Sequence, residues 1–236
     1  MDKPNQKADL ITLFSKGALG ALPIVGPLAA EIIGTLIPDQ RIDRIARFLH
    51  ALEQRLTEVE QRILNQRVRE GHTEFIDLFE DGMYHAARAL NQERIEYIAS
   101  LIKNSLSDED VEYVYYKQLL MLLSEINEIE VLILKYHSLT PEQTDKFRKS
   151  HEDVLKHPVV VFGTPQENID KNTVHSSFEH HLVRLGLLQV KFKKPKKGEL
   201  PTFDEKTGMI AAKGFQITPL GRLLLRHIDQ EPDSRD

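Results

Sequence analysis

Apolar residues recur in alternating steps of three and four along one early stretch: Ile42, Ile45, Leu49, Leu52, Leu56, Val59 and Ile63. A 3–4 spacing keeps side chains on one helical face, so this is a heptad seam. Asp39 stands where an N-cap would, and Gly71 where the helix would stop. Asp43 with Arg47, and Glu58 with Arg62, add i,i+4 pairs with the acid first. The seam suits two arrangements, one helix of an intramolecular bundle or a short coiled-coil dimer.

Helical periodicity continues. Phe75, Ile76, Leu78, Phe79 and Met83 share one face, and Ile95, Ile98, Leu101 and Ile102 another. Ser107 to Asp110 reads as the acidic first turn of a further helix. That helix carries Tyr113, Val114 and Leu119 to Leu123, is apolar nearly all round, and is expected to be central. A short buried helix follows at Ile126 to Tyr136. Thr140-Pro141-Glu142-Gln143 has cap, N1 proline and capping-box glutamine in place.

After His157-Pro158 the pattern changes. Val159 to Phe162 reads as a short strand and Gly163-Thr164-Pro165 as a turn. Asn172 or Thr173 is expected to cap a helix from Val174 to Leu185 that stops at Gly186. Leu188, Val190 and Phe192 alternate as a strand does. Gly208 to Ile217 can return as its partner, and Thr218-Pro219 opens a last helix, Leu220 to Ile228.

Leu10 to Pro38 breaks from all of this. Gly17 to Ala30 is an uncharged run of 14 residues, short of the ~20 that a helix needs to cross a bilayer. Pro23 and Pro27 divide it into two arms. Gly26, Ala30 and Gly34 recur every fourth residue, a small-residue ridge of the kind that lets helices approach closely. The candidate membrane or self-association residues are Leu19, Gly26, Leu28, Ala30, Ile33, Gly34 and Ile37. A buried hairpin is the alternative. The acidic residues around the run argue against a secretory signal.

Composition narrows the class. Hydrophobic residues at 41% and charged ones at 28% describe a globular chain. With no cysteine, disulfide frameworks, thiol catalysis and Cys-ligated zinc are excluded. The expected location is cytoplasmic, with membrane association if the apolar segment meets lipid. A net charge of −5 argues against a general nucleic-acid coat and leaves room only for a local basic patch.

Such a patch exists. Thr173 to Ile228 holds ten Lys and Arg against four acidic residues, with Lys191, Lys193, Lys194, Lys196 and Lys197 clustered together. The phrase HLVRLGLL (His181 to Leu188), followed by GFQITPLGRLLLRHI (Gly214 to Ile228), resembles the winged helix-turn-helix ending of many bacterial proteins. Together with the apolar N-terminus and helical body, it resembles the bacterial abortive-infection alpha group. That resemblance implies a part in defence against phage. The candidate nucleic-acid or partner-binding residues are His175, Ser177, His180, Arg184, Lys193, Lys194, Lys196 and Lys197.

No phosphate loop, nucleotide fingerprint, zincin motif or nucleophile elbow is present. Arg67 with His72, and Arg222 with His227, have the R-x4-H spacing of HEPN ribonucleases, but Val68 and Leu223 stand where a polar residue usually follows the arginine. His175, His180 and His181 do not make a metal site, because adjacent helical positions diverge by ~100°. Glu128 and Glu130 read as surface charge.

The expected fold is mainly α: a helical bundle with a long heptad-patterned helix, plus a small C-terminal winged-helix (α+β) unit. The expected domains are an apolar segment (1–38), a helical body (39–157) and the winged-helix-like unit (158–236). The expected function is non-enzymatic and free of cofactors. The protein would form a homo-oligomer or engage a membrane through the apolar segment, and would dock DNA or a protein at the wing. Two alternatives are a DNA-binding regulator dimerising through the heptad helix and an HEPN-like ribonuclease.

Overall fold

The computed structural model describes residues 31, 41–57, 59, 66, 72–107, 112–155, 161–195, 198, 200–203, 208 and 210–232. These are mainly helical, with one small antiparallel sheet. The residues fall into two compact units. One comprises Met1–Glu125 with His227–Asp229; the other comprises Ile126–Arg226 with Gln230–Asp236. The apolar N-terminal candidates from Leu19 to Ile37 lie outside the described residues, as do Lys196 and Lys197.

In the first unit the described helices are α1 (Ile42–Leu56), α2 (His72–Arg88), α3 (Gln92–Ser107) and α4 (Tyr113–Glu125). The heptad positions of α1 up to Leu56 are all buried, joined by Phe48 and Ala51. They pack chiefly on α3, which buries Ile95, Ile98, Leu101 and Ile102. The 3–4 seam therefore faces a helix of its own chain. Gly82 lets α2 approach α3, since a Cβ there would lie 3.1 Å from Ile102 Cδ1. An aromatic file, Phe48–Phe79–Phe75–Tyr113, fills the space between α1, α2 and α4, with ring centroids 6.0–6.3 Å apart. Polar ties frame this core: Arg55 donates to Ser100 Oγ at 3.0 Å and pairs with Glu96 at 2.8 Å.

Two expectations need correction here. α1 begins at Ile42 with Arg41 as N-cap; the expected cap, Asp39, lies outside the described residues. Arg47 reaches the backbone carbonyl of Asp43, at 3.3 Å, instead of its carboxylate. α4 is not wrapped in core on all sides. Tyr116, Leu119, Leu120, Leu122 and Leu123 are buried, but Val114, Tyr115 and Met121 are 55–60% exposed. Lys117, on the same helix, pairs with Asp77 and with Asp81 of α2.

The second unit holds α5 (Glu128–Tyr136), α6 (Pro141–Ser150), α7 (Glu152–Leu155), α8 (Gln166–Arg184), β1 (Leu188–Phe192), β2 (Ala212–Ile217) and α9 (Pro219–His227), whose final residue belongs to the first unit. α5 starts with a reciprocal box: Glu130 N donates to Asn127 Oδ1, and Asn127 N donates to Glu130 Oε2 at 2.8 Å. At α6, Thr140 N donates to Gln143 Oε1 at 3.2 Å and Pro141 sits at N1. Val161 and Phe162 are not in a strand. They lie exposed at a turn closed by Thr164 N to Val161 O.

Candidate nucleic-acid interface

α8 ends through a specific backbone device. Gly186 has φ of +74°, its N–H bonds Val183 O, and Leu187 N bonds Leu182 O at 2.9 Å. These two bonds form a Schellman motif, in which a left-handed glycine satisfies the last helical carbonyls. Leu182, Leu187 and Leu188 are buried around it. Thr218 then locks the returning chain. Its N–H bonds Leu187 O, its hydroxyl donates to Gly186 O at 2.7 Å, and the same oxygen accepts from Gly221 N at 3.0 Å. Gly221 must be glycine for α9 to seat here, because a Cβ would fall 2.4 Å from Leu187 O. The LGLL and TPLG phrases are thus two halves of one joint between α8, the ribbon and α9.

The ribbon pairs Leu188 with Ile217, Val190 with Phe215 and Lys191 with Gly214, then bulges so that Phe192 faces Ala212. Lys213 is the extra residue of that bulge, and an added residue bends a strand and sharpens its twist. Beyond it, Lys193 N donates to Ala211 O, Ala211 N donates to Thr202 O, and Phe203 bridges Ile210. The ribbon therefore extends past the two named strands toward a short third segment. Phe192, Leu200 and Phe203 are exposed there beside Lys193 and Lys194.

α8 starts at Gln166 behind Pro165, not at Asn172 or Thr173. Those two residues lie inside the helix, and the Thr173 hydroxyl turns back to Ile169 O at 2.8 Å. The longer helix carries a continuous exposed stripe: Gln166, Asp170, Thr173, Ser177, His180 and Arg184. Ser177, His180 and Arg184 share the half next to the ribbon. His180 also meets Phe215 edge-on at 6.0 Å, which ties the stripe to the ribbon. His175 lies off the stripe, half-buried, with Nε2 2.9 Å from Val154 O.

His181 turns inward, where its Nδ1 meets Glu130 Oε1 at 2.5 Å. Glu130 is only 2% exposed, so it is not surface charge. Its role was readable in the Asn127-x-x-Glu130 spacing, which matches a capping box. His180 and His181 thus face different partners. Among the described residues no group of three histidine or acidic side chains could hold a metal ion. Of the two R-x4-H pairs, Arg67 lies outside the described residues. Arg222 is exposed and donates to Ser138 O at 3.3 Å, and His227 is buried edge-on to Tyr116 at 4.9 Å.

From His180 to Arg226 the described Lys and Arg side chains are Arg184, Lys191, Lys193, Lys194, Lys213, Arg222 and Arg226, while Glu199, Asp204 and Glu205 of the same stretch lie outside the described residues. All of these described cations are exposed. Arg226 also pairs with Glu231 at 2.9 Å. Sequence reasoning had no access to a second feature of this unit, a cavity of about 690 Å³ lined by α5, α6, α7 and α8. No family model matches the chain, and no curated protein or solved structure is significantly similar to it.

Proposed function

We propose that the C-terminal unit is a winged-helix-like docking module for nucleic acid and that the protein is a binding protein, not an enzyme. The observation that carries this reading is the run of exposed cations from Arg184 through the ribbon to Arg226, in a stretch whose sequence holds ten basic residues and three acidic ones. Ser177, His180 and Arg184 present hydrogen-bonding groups along a helix, the element that enters a major groove. Lys191, Lys193, Lys194 and Lys213 stand on the adjoining ribbon, where phosphate contacts fix position and supply affinity. Binding of a fluorescent duplex, followed by anisotropy over a salt series, tests it. Affinity should fall steeply as salt rises, and Lys193→Ala/Lys194→Ala should flatten the log–log slope by about 2. No binding at low salt, or a variant indistinguishable from the parent, would overturn the reading.

A second activity is proposed for Leu10 to Pro38, favoured by the Gly26/Ala30/Gly34 spacing. This segment self-associates or engages a membrane, in keeping with the phage-defence role that the abortive-infection resemblance implies. A dimer through the heptad helix finds little support, because its seam from Ile42 to Leu56 is already buried in the first unit. In liposome flotation and sedimentation, Gly26→Leu/Gly34→Leu should lose lipid binding or assembly while keeping its helical circular dichroism. Unchanged behaviour in both assays refutes the proposal.

A further inference from the structure

The ribbon ends in a cluster of exposed apolar side chains: Phe192 is 51% exposed, Leu200 88%, Phe203 55% and Ile210 40%. The register gathers three of them. Phe192 stands opposite Ala212 and Phe203 opposite Ile210, and positions 210 and 212 lie two apart on one segment. Ala211, between them, ties the two pairings together: its carbonyl accepts from Lys193 N at 3.1 Å, and its N–H donates to Thr202 O at 2.7 Å. Directly opposed antiparallel residues stand about 5 Å apart, so each phenylalanine has an exposed apolar neighbour on that segment. Apolar side chains that cluster on a surface mark a contact, whereas scattered ones need no explanation. Exposed lysines run through the same end. Lys191, Lys193 and Lys194 flank Phe192 in sequence, and Lys213 follows Ala212.

A partner for this end must be anionic and must offer flat apolar surface. Paired bases do not, because inside a duplex their faces stack on one another and only their edges reach the grooves. Unpaired bases do, since every base has a π-face that an aromatic side chain can cover while lysines follow the phosphates. We propose that the ribbon's end binds unpaired bases, with Phe192 and Phe203 as stacking platforms and Lys193 and Lys194 on the flanking phosphates. The module then prefers a duplex that runs on into a single strand to a duplex alone. An anionic lipid surface also calls for apolar groups and cations. It has no use, however, for the hydrogen-bonding groups of Ser177, His180 and Arg184 on α8, which His180 ties to the ribbon through Phe215. The preference rests on nucleic-acid docking by the C-terminal unit and adds which form of nucleic acid it takes.

Anisotropy of the full chain at low salt decides the matter with three labelled probes: a blunt duplex, the same duplex with an oligothymidine overhang, and the same duplex with an abasic overhang. The thymidine overhang should bind about tenfold more tightly than the abasic one, which carries the same phosphates. Phe192→Ala/Phe203→Ala should remove that gain and leave the blunt duplex bound as before, and Phe192→Trp/Phe203→Trp should keep it. Equal affinity of the parent protein for the two overhangs overturns the proposal and leaves duplex docking standing. No binding of any probe overturns both. Flotation on phosphatidylserine vesicles that depends on the two phenylalanines, with no preference between overhangs, would assign the end to lipid and overturn the proposal too. The comparison among probes uses the unmodified chain, so it stands even if a variant fails to fold.

Discussion

Glu130 has both carboxylate oxygens engaged, one by the Asn127 N–H and the other by His181 Nδ1. A carboxylate can only accept, so Nδ1 carries the hydrogen. Removing one partner of such a buried pair strands the other, which costs more than the pair itself contributes. Glu130→Ala should therefore destabilise the C-terminal unit by about 3 kcal/mol in urea unfolding. The double variant with His181→Ala should lose less than the two single losses together. Full additivity would show that the two side chains are not coupled. His85, on α2, illustrates the opposite situation. Burial lowers its pKa first of all, Arg88 and Arg94 lower it further, and Asp81 opposes them. The unfolded chain thus takes up the proton at a higher pH than the folded chain. Stability should be full above the ordinary imidazole pKa and fall as pH drops through it. His85→Asn should flatten that part of the urea-midpoint profile; an unchanged slope would place the titration elsewhere.

At the scale of elements, what was legible was whatever a single local rule enforces. The end of α8 was readable because a left-handed position demands glycine, and Gly186 supplies it. The starts of α6 and α9 were readable from Thr-Pro, since proline at N1 gives up an N–H that would be orphaned anyway. The start of α8 was not. Asn172 and Thr173 are good caps, but a good cap residue can also sit inside a helix when its hydroxyl finds a preceding carbonyl, as Thr173 does. The centrality of α4 was overread from composition. An apolar sequence says how much surface a helix can bury, not whether a neighbour arrives to cover it, and Val114, Tyr115 and Met121 are left exposed. Half of the candidate interface could be read in advance, because lysine clustering is a property of sequence. The cavity could not, because His137, Arg148 and Glu179 come from three helices and meet only through packing.

On the scale of the molecule, charge is segregated along the chain. His181 to Arg226 carries ten basic and three acidic residues, and the remainder 21 basic and 33 acidic. If the ribbon docks a polyanion as proposed, the acidic remainder would repel that polyanion elsewhere, so docking would be confined by exclusion as well as attraction. The segregation also reconciles a net charge of −5 with a cationic ribbon.

The first unit contains a piece made after most of the second. Asn104 donates to His227 O at 2.9 Å, Tyr116 donates to Asn104 O at 3.0 Å, and the Tyr116 ring meets the His227 imidazole. A ribosome delivers His227 only after Ile126 to Arg226 of the second unit has been synthesised. The first unit therefore leaves the exit tunnel with Asn104 and Tyr116 still awaiting their final partner, and it is finished only after Ile126 to Arg226 has been made. Translation that stops before His227 leaves this unit without its closing residues.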